Sequence, residues 1–159
     1  MKSAYFAGGC FWCITPVFAE TDGVISVTSG YCGGDEADPS YEDVKAQKTG
    51  HRETVKIDYD ENVLSYSTLL QIFFENVDIT DGGGQYIDRG HSYTLAVYYT
   101  DETEKEEALL IIKKLGCENT VAAEKYKRFY TAEEYHQDFY KKEPEKYKEE
   151  IEISGRKIK

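Results

Sequence analysis

Residues 53–77, ETVKIDYDENVLSYSTLLQIFFENV, change period half-way along. Over Glu53–Tyr59 the side chains alternate, with Val55, Ile57 and Tyr59 on one face and Thr54, Lys56 and Asp58 on the other, which predicts a half-buried strand. Glu53 falls on the apolar face. From Ser65 to Val77 the spacing becomes helical, with Leu69, Leu70, Ile72, Phe73 and Phe74 directed inward.

The same strand-and-helix alternation extends in both directions. Upstream, Ser3–Ala7 reads as an apolar strand ended by Gly8-Gly9, and Phe11, Ile14, Val17 and Phe18 space as a helix. Pro16 restricts that helix: either Cys10 lies near its first turn, or Thr15 caps it and Pro16 opens it. Both readings put Cys10 at or just before a helix N-terminus. Val24–Tyr31 is the next strand, closed by Cys32-Gly33-Gly34, and 33–52 reads as a long polar loop.

Downstream, Asp78–Ser92 is a second irregular stretch, Tyr93–Thr100 a strand, and Thr103 with Glu106 a capping-box pattern for a helix running to Leu115, stopped by Gly116. Val121–Tyr126 is a short further strand, and Glu133–Ile153 a helical region interrupted near Pro144. The order β-α-β-β-α-β predicts a mixed α/β (α+β) fold with a ferredoxin-like core.

At 159 residues, with no internal repeat and no linker, the chain is expected to form one domain spanning 1–159. A net charge of −11 and a pI near 4.8 count against nucleic acid or an acidic membrane as partner. Residues 141–159 form a mixed-charge tail, expected to be a solvated helix or a frayed end. Neither a signal-type apolar segment nor a membrane span is read in the sequence, so a cytoplasmic protein is expected. In that compartment the four cysteines, Cys10, Cys13, Cys32 and Cys117, should rest as thiols.

Cys10 carries the first chemical signal. A cysteine at a helix start has its thiolate favoured by the helix dipole and by free amides, which lowers its pKa from about 8.5 toward neutrality. The plainer reading is a buried apolar cysteine. Cys13 stands at Cys-x-x-Cys spacing and could resolve an oxidised Cys10. The same spacing begins many zinc sites, but those need two further ligands, and only isolated Cys32, Cys117, His51, His91 and His136 remain, so no metal is expected.

Phe11 and Trp12 point about 100° apart on a helix, so one of them is free to line a cleft beside Cys10. Glu53, held among Val55, Ile57 and Tyr59, should have a raised pKa and stay protonated near neutrality, as a proton donor must. The alternative is a strand-end carboxylate turned to solvent. Tyr41, His51, Asp88 and Tyr93 lie in or beside the two irregular stretches, where they could meet a polar ligand. Gly82-Gly83-Gly84 lacks a phosphate-loop lysine and receives no phosphate role.

Six blocks together resemble the A-type peptide-methionine sulfoxide reductases: Gly9-Cys10-Phe11-Trp12, Gly30-Tyr31-Cys32-Gly33-Gly34, Pro39-Ser40-Tyr41, Gly50-His51-Arg52-Glu53, Asp88-Arg89-Gly90-His91-Ser92-Tyr93, and Phe129 to Gln137. The resemblance implies a two-layer α/β sandwich around the βαββαβ core, elaborated by long loops and a C-terminal helical segment. It implies reduction of methionine-(S)-sulfoxide, free or in proteins, with Cys10 as nucleophile and Phe11 and Trp12 as the methyl pocket. Glu53, Tyr41 and Tyr93 would surround the sulfoxide oxygen, with Asp88 in the substrate site. It further implies no bound cofactor: a cysteine sulfenic acid condenses with a second thiol, and thioredoxin or another dithiol donates the electrons.

One departure concerns that second thiol. Many family members have glycine where this chain has Cys13, and carry recycling cysteines in a C-terminal tail that here contains none. Cys13 is the first choice for the resolving cysteine, with Cys117 and Cys32 as alternatives. Two further readings of the residues stay open: a thiol–disulfide oxidoreductase using Cys10 and Cys13, and a zinc-binding or interaction module.

Overall fold

The computed structural model describes residues 1–154. Its main sheet has six strands: β1 (Lys2–Gly8), β2 (Val24–Cys32), β3 (Arg52–Tyr59), β6 (Leu95–Tyr99), β7 (Val121–Lys125) and β8 (Phe129–Thr131), ordered β7-β6-β1-β3-β2-β8. The four inner strands, β6-β1-β3-β2, are antiparallel throughout. That is the ferredoxin-like arrangement the element order predicted. β7 extends one edge in parallel with β6, and β8 extends the other antiparallel to β2. A two-residue ribbon, β4 (Gly84–Gln85) with β5 (Asp88–Arg89), stands apart.

Helices α1 (Phe11–Ala19), α3 (Tyr66–Glu75) and α4 (Glu102–Leu115) cover one face of the sheet. Phe11, Ile14 and Phe18 from α1 and Leu69, Leu70 and Phe73 from α3 bury against Phe6, Val55 and Ile57. Phe6 lies at the centre, its ring 5.0 Å from Phe73 and 5.8 Å from Phe18. Truncating such a ring to alanine costs about 3–5 kcal/mol. On the opposite face Tyr5, Ala7, Cys32, Ala96 and Tyr98 form a smaller cluster, closed by Tyr126 and Phe129.

Two glycines make this geometry possible. Gly9, at φ 88°, turns the chain out of β1 directly into Cys10. A Cβ on Gly30 would lie 2.2 Å from the Phe129 ring and 2.3 Å from the Tyr130 carbonyl, so β8 can lie on β2 only where β2 has no side chain.

Several elements differ from the sequence reading. The 33–52 loop contains a short helix, α2 (Tyr41–Lys45), with Ser40 Oγ capping the Asp43 N–H. The α4 helix starts ahead of Thr103: Asp101 caps it by accepting the Glu104 N–H at 2.8 Å, while Glu104 reaches back to the Thr100 N–H. Its end is as expected, with Gly116 left-handed at φ 69°.

Tyr93 closes a 3₁₀ turn (His91–Tyr93) and does not begin a strand. The C-terminal region is a 3₁₀ turn (Glu134–His136) followed by α5 (Phe139–Lys142) and α6 (Pro144–Ser154). Ile151 of α6 is buried, so this part of the expected tail is docked; positions 155–159 of that tail lie outside the described residues. Among the described residues no helix is long and apolar enough to cross a membrane.

Candidate active site

Cys10 is the N-cap of α1, extended at φ −60° and ψ 119°, and half-buried. Of the two readings of Pro16, the structure takes the first: the proline sits inside the helix and the helix begins after Cys10. Cys13 follows one turn on, its N–H donating to the Cys10 carbonyl at 3.1 Å, and the two side chains hydrogen-bond each other. Both are free thiols.

Glu53 is 1% exposed, on the face of β3 that its strand phase predicted. Its Oε1 accepts the backbone N–H of Phe11 at 3.2 Å, and Oε2 has no hydrogen-bond partner among the described residues. Burial pushes its pKa up to about 8, Asp88 and Cys13 add to the rise, and the Phe11 amide and the Tyr93 hydroxyl oppose it. A neutral carboxylic acid at pH 7 follows.

The Cys10 thiol departs from the expectation. Its pKa lies well above the ordinary thiol value, through the hydrogen bond with Cys13, then burial, then the charges of Glu53 and Asp88. The Cys13 side chain one turn along and the enclosed position of Cys10 outweigh the helix-start effect, and Glu53 occupies the Phe11 amide. The Cys10 side chain itself makes no capping hydrogen bond to α1.

The two irregular segments complete the enclosure. Tyr41 opens α2 and Tyr93 closes its 3₁₀ turn; both phenols are shifted up by burial and then by Glu53, with Cys10 and Asp88 contributing to each. Gln47, just past α2, ties the segments together by accepting the Ser92 N–H at 3.0 Å and donating to Ser92 Oγ at 2.8 Å. Asp88 sits on the small ribbon, whose neighbour Arg89 is held by Asp81 at 2.8 Å.

Phe11 and Trp12 divide their roles as the 100° offset requires. Phe11 is 1% exposed and packs with Tyr31, Tyr41 and His136, while Trp12 is half-buried, its face stacked on Phe139 at 4.1 Å. The structure therefore brings together Cys10, Cys13, Glu53, Tyr41, Tyr93, Asp88, Phe11 and Trp12.

It does not bring in Cys32, Cys117 or His51. Cys32 lies on the opposite face of the sheet, donating to the Arg128 carbonyl, with burial raising its pKa to about 12. Cys117 is buried behind the end of α4, donating to the Ile112 carbonyl. His51 is buried beneath Gly34 and edge-on to Tyr130. Among the described residues no group of three or more His, Cys, Asp or Glu could hold a metal ion.

Two site residues escaped the sequence reading. Glu133 accepts the Tyr31 hydroxyl at 2.8 Å and the Tyr41 N–H at 3.1 Å, joining β2 to α2 behind the aromatic wall. His136 Nδ1 accepts the Trp12 indole N–H at 3.0 Å. Both lie in the Phe129–Gln137 block, which was the only sequence signal available for them.

The arrangement offers a half-buried thiol, a neutral acid and two phenols beside an aromatic wall in which Tyr41 stacks on Phe11 and Trp12. Such a site suits a small ligand that is polar at one end and apolar at the other. The family model described as peptide methionine sulfoxide reductase matches residues 2–158. The chain belongs to that family. Family relatives agree over nearly the full length: the chain is 44% identical over 159 residues to the peptide methionine sulfoxide reductase MsrA of Bacillus licheniformis, covering 96% of this chain and 88% of that protein.

Among solved structures, Mxr1 from Saccharomyces cerevisiae in reduced form is similar with a TM-score of 0.84 at 28% identity, covering 91% of this chain and 86% of that one. Mxr1 in complex with Trx2 shares the fold at a TM-score of 0.54 and 20% identity, over 87% of this chain and 84% of that one. In this member of the peptide methionine sulfoxide reductase family, Glu53 and the Cys10 turn lie on the sheet face covered by α1.

Proposed function

We propose that this protein reduces methionine-(S)-sulfoxide, free or in proteins, at Cys10. The observation that carries the reading is Glu53: a buried carboxyl, protonated up to about pH 8, hydrogen-bonded to the amide next to Cys10. A sulfoxide is polar at its S–O bond and apolar at its methyl group. Glu53, Tyr41 and Tyr93 supply donors for the oxygen, Phe11 and Trp12 receive the methyl group, and Asp88 borders the substrate.

The protons balance without an external acid. Glu53 gives its proton to the sulfoxide oxygen as the Cys10 sulfur attacks the substrate sulfur, and the thiol proton of Cys10 restores the carboxyl. The oxygen leaves on Cys10 as a sulfenic acid and methionine departs as the thioether. A resting thiol beside a resting acid is therefore the competent starting state.

Cys13 then attacks the sulfenic sulfur, water leaves, and a Cys10–Cys13 disulfide forms across one helical turn. The side-chain contact between the two thiols supports this choice over Cys32 and Cys117. A thioredoxin-like dithiol is the reductant that the Mxr1–Trx2 structure favours for this chain, returning both cysteines to thiols. Four free cysteines suit a reducing cytoplasm.

The test uses separated epimers of the sulfoxide with a dithiol. Methionine should form from the S epimer only, and Cys10→Ser should form none. Release from either epimer by Cys10→Ser would remove Cys10 from the reaction.

A further inference from the structure

Trp12 is the one tryptophan of the chain, and its indole is held in two different ways. Its face lies on Phe139 at 4.1 Å and 13°. Its edge donates to His136 Nδ1 at 3.0 Å. Stacking defines a plane but changes slowly in energy as rings slide, whereas a hydrogen bond weakens steeply with angle. The bond to His136 therefore selects one rotation of the indole within the plane that Phe139 sets.

His136 is itself fixed. It is 1% exposed, wedged against the rings of Tyr41 at 4.2 Å, Phe11 at 5.1 Å and Tyr135 at 3.9 Å. Accepting at Nδ1 requires the neutral imidazole with its proton on Nε2. That nitrogen is buried with no hydrogen-bond partner among the described residues. Packing alone would be served better by phenylalanine, which fills similar space and buries no polar nitrogen. The acceptor at Nδ1 is what distinguishes histidine here.

We propose that His136 is a specificity-positioning residue: by holding Trp12 in one rotation, it sets the width of the pocket that takes the methyl group of the sulfoxide. The inference rests on the reading above that Trp12, with Phe11, forms that pocket. An apolar pocket distinguishes one methylene by about 10–200-fold, and only when its wall cannot retreat. Phe11 is packed in the core and has nowhere to move. Trp12 is half-buried and would be the mobile wall were its indole released.

The experiment measures kcat/KM on the full chain for the S-sulfoxides of methionine and of its ethyl homologue, together with fluorescence of the single tryptophan. His136→Phe keeps the ring and removes the acceptor; His136→Asn keeps an acceptor at the position of Nδ1. The expected result is a shifted indole emission in His136→Phe and a methyl-to-ethyl preference narrowed about tenfold, with His136→Asn restoring much of both. A purely structural histidine would lower the two substrates in proportion and leave their ratio unchanged, and that result in a folded His136→Phe overturns the proposal.

Should His136→Phe fail to fold, His136→Leu, which also removes the acceptor, decides: a narrowed methyl-to-ethyl ratio with a shifted indole emission supports the proposal, and an unchanged ratio overturns it. Trp12→Ala separates the two readings. An unchanged ratio there removes the pocket and this inference with it, while a changed ratio in Trp12→Ala beside an unchanged one in His136→Phe overturns the inference alone.

Discussion

Glu53 Oε1 accepts the backbone N–H of Phe11, the residue immediately after Cys10, across 42 positions of chain. The acid thereby occupies the first amide of α1. The resting protonation of the two groups comes from their surroundings: the Cys13 hydrogen bond and burial hold the thiol protonated, and burial keeps the carboxyl neutral against the pull of the Phe11 amide.

The rate of sulfoxide reduction should fall as pH rises through about 8, where Glu53 ionises. Glu53→Gln should be slower by about 10²–10⁴-fold, the usual worth of general acid catalysis, and should lack that fall. A pH–rate profile of both proteins, measured under substrate saturation, checks this. An identical descending limb in the variant would remove Glu53 from the acid role.

Stability should fall in the same direction of pH. The folded pKa of Glu53 lies above its unfolded value of 4.5, so its contribution is fully present below that value and is lost as pH rises through about 8. Glu53→Gln, which cannot ionise, should gain on wild type at alkaline pH by up to a few kcal/mol, on the order of the linkage for such a shift. Urea titrations of both proteins at acid and alkaline pH would show whether the gap opens with pH.

His136 gives a linkage of the other sign. Burial lowers its pKa from 6.5 to about 4, so its contribution is present above 6.5 and is lost as pH falls from there through about 4. The whole window corresponds to about 3 kcal/mol at most. Wild type should therefore lose thermal stability over this range more steeply than His136→Asn, which has no titration there. Parallel melting curves for the two proteins would contradict the assignment.

Cys13→Ser should still release methionine, but only one equivalent per protein before the sulfenic acid accumulates. Wild type with one equivalent of sulfoxide should show a single new peptide disulfide, Cys10–Cys13, by mass spectrometry. Recovery of Cys10 joined to Cys32 or Cys117 would reassign the resolving step, and would require the chain to move, because one lies across the sheet and the other behind α4.

What the sequence disclosed was whatever a short local pattern encodes. The burial of Glu53 follows from counting back in twos from Tyr59, and the helix start at Cys10 from two glycines and an aromatic pair. α2 was hidden because five residues carry too little periodicity to register. The start of α4 was misplaced because Thr103 with Glu106 matches a capping box; the cap is Asp101, and the buried Glu104 reaches back to Thr100.

The state of the Cys10 thiol was not legible at all. It depends on the side-chain hydrogen bond with Cys13, on burial, and on Glu53 and Asp88, which arrive from β3 and from the small ribbon. Glu133 and His136 were obscure for the same reason, since their partners lie 92 to 124 positions upstream.

That separation has a consequence for vectorial synthesis. As the chain leaves the ribosome, β1, α1, β2 and β3 are all available once residue 59 has emerged, and Cys10 can meet Glu53. The indole of Trp12 gains His136 and Phe139 only some eighty residues later. Asp88 and Tyr93 emerge within that interval, so the partners of Trp12 are the last part of the site to leave the ribosome.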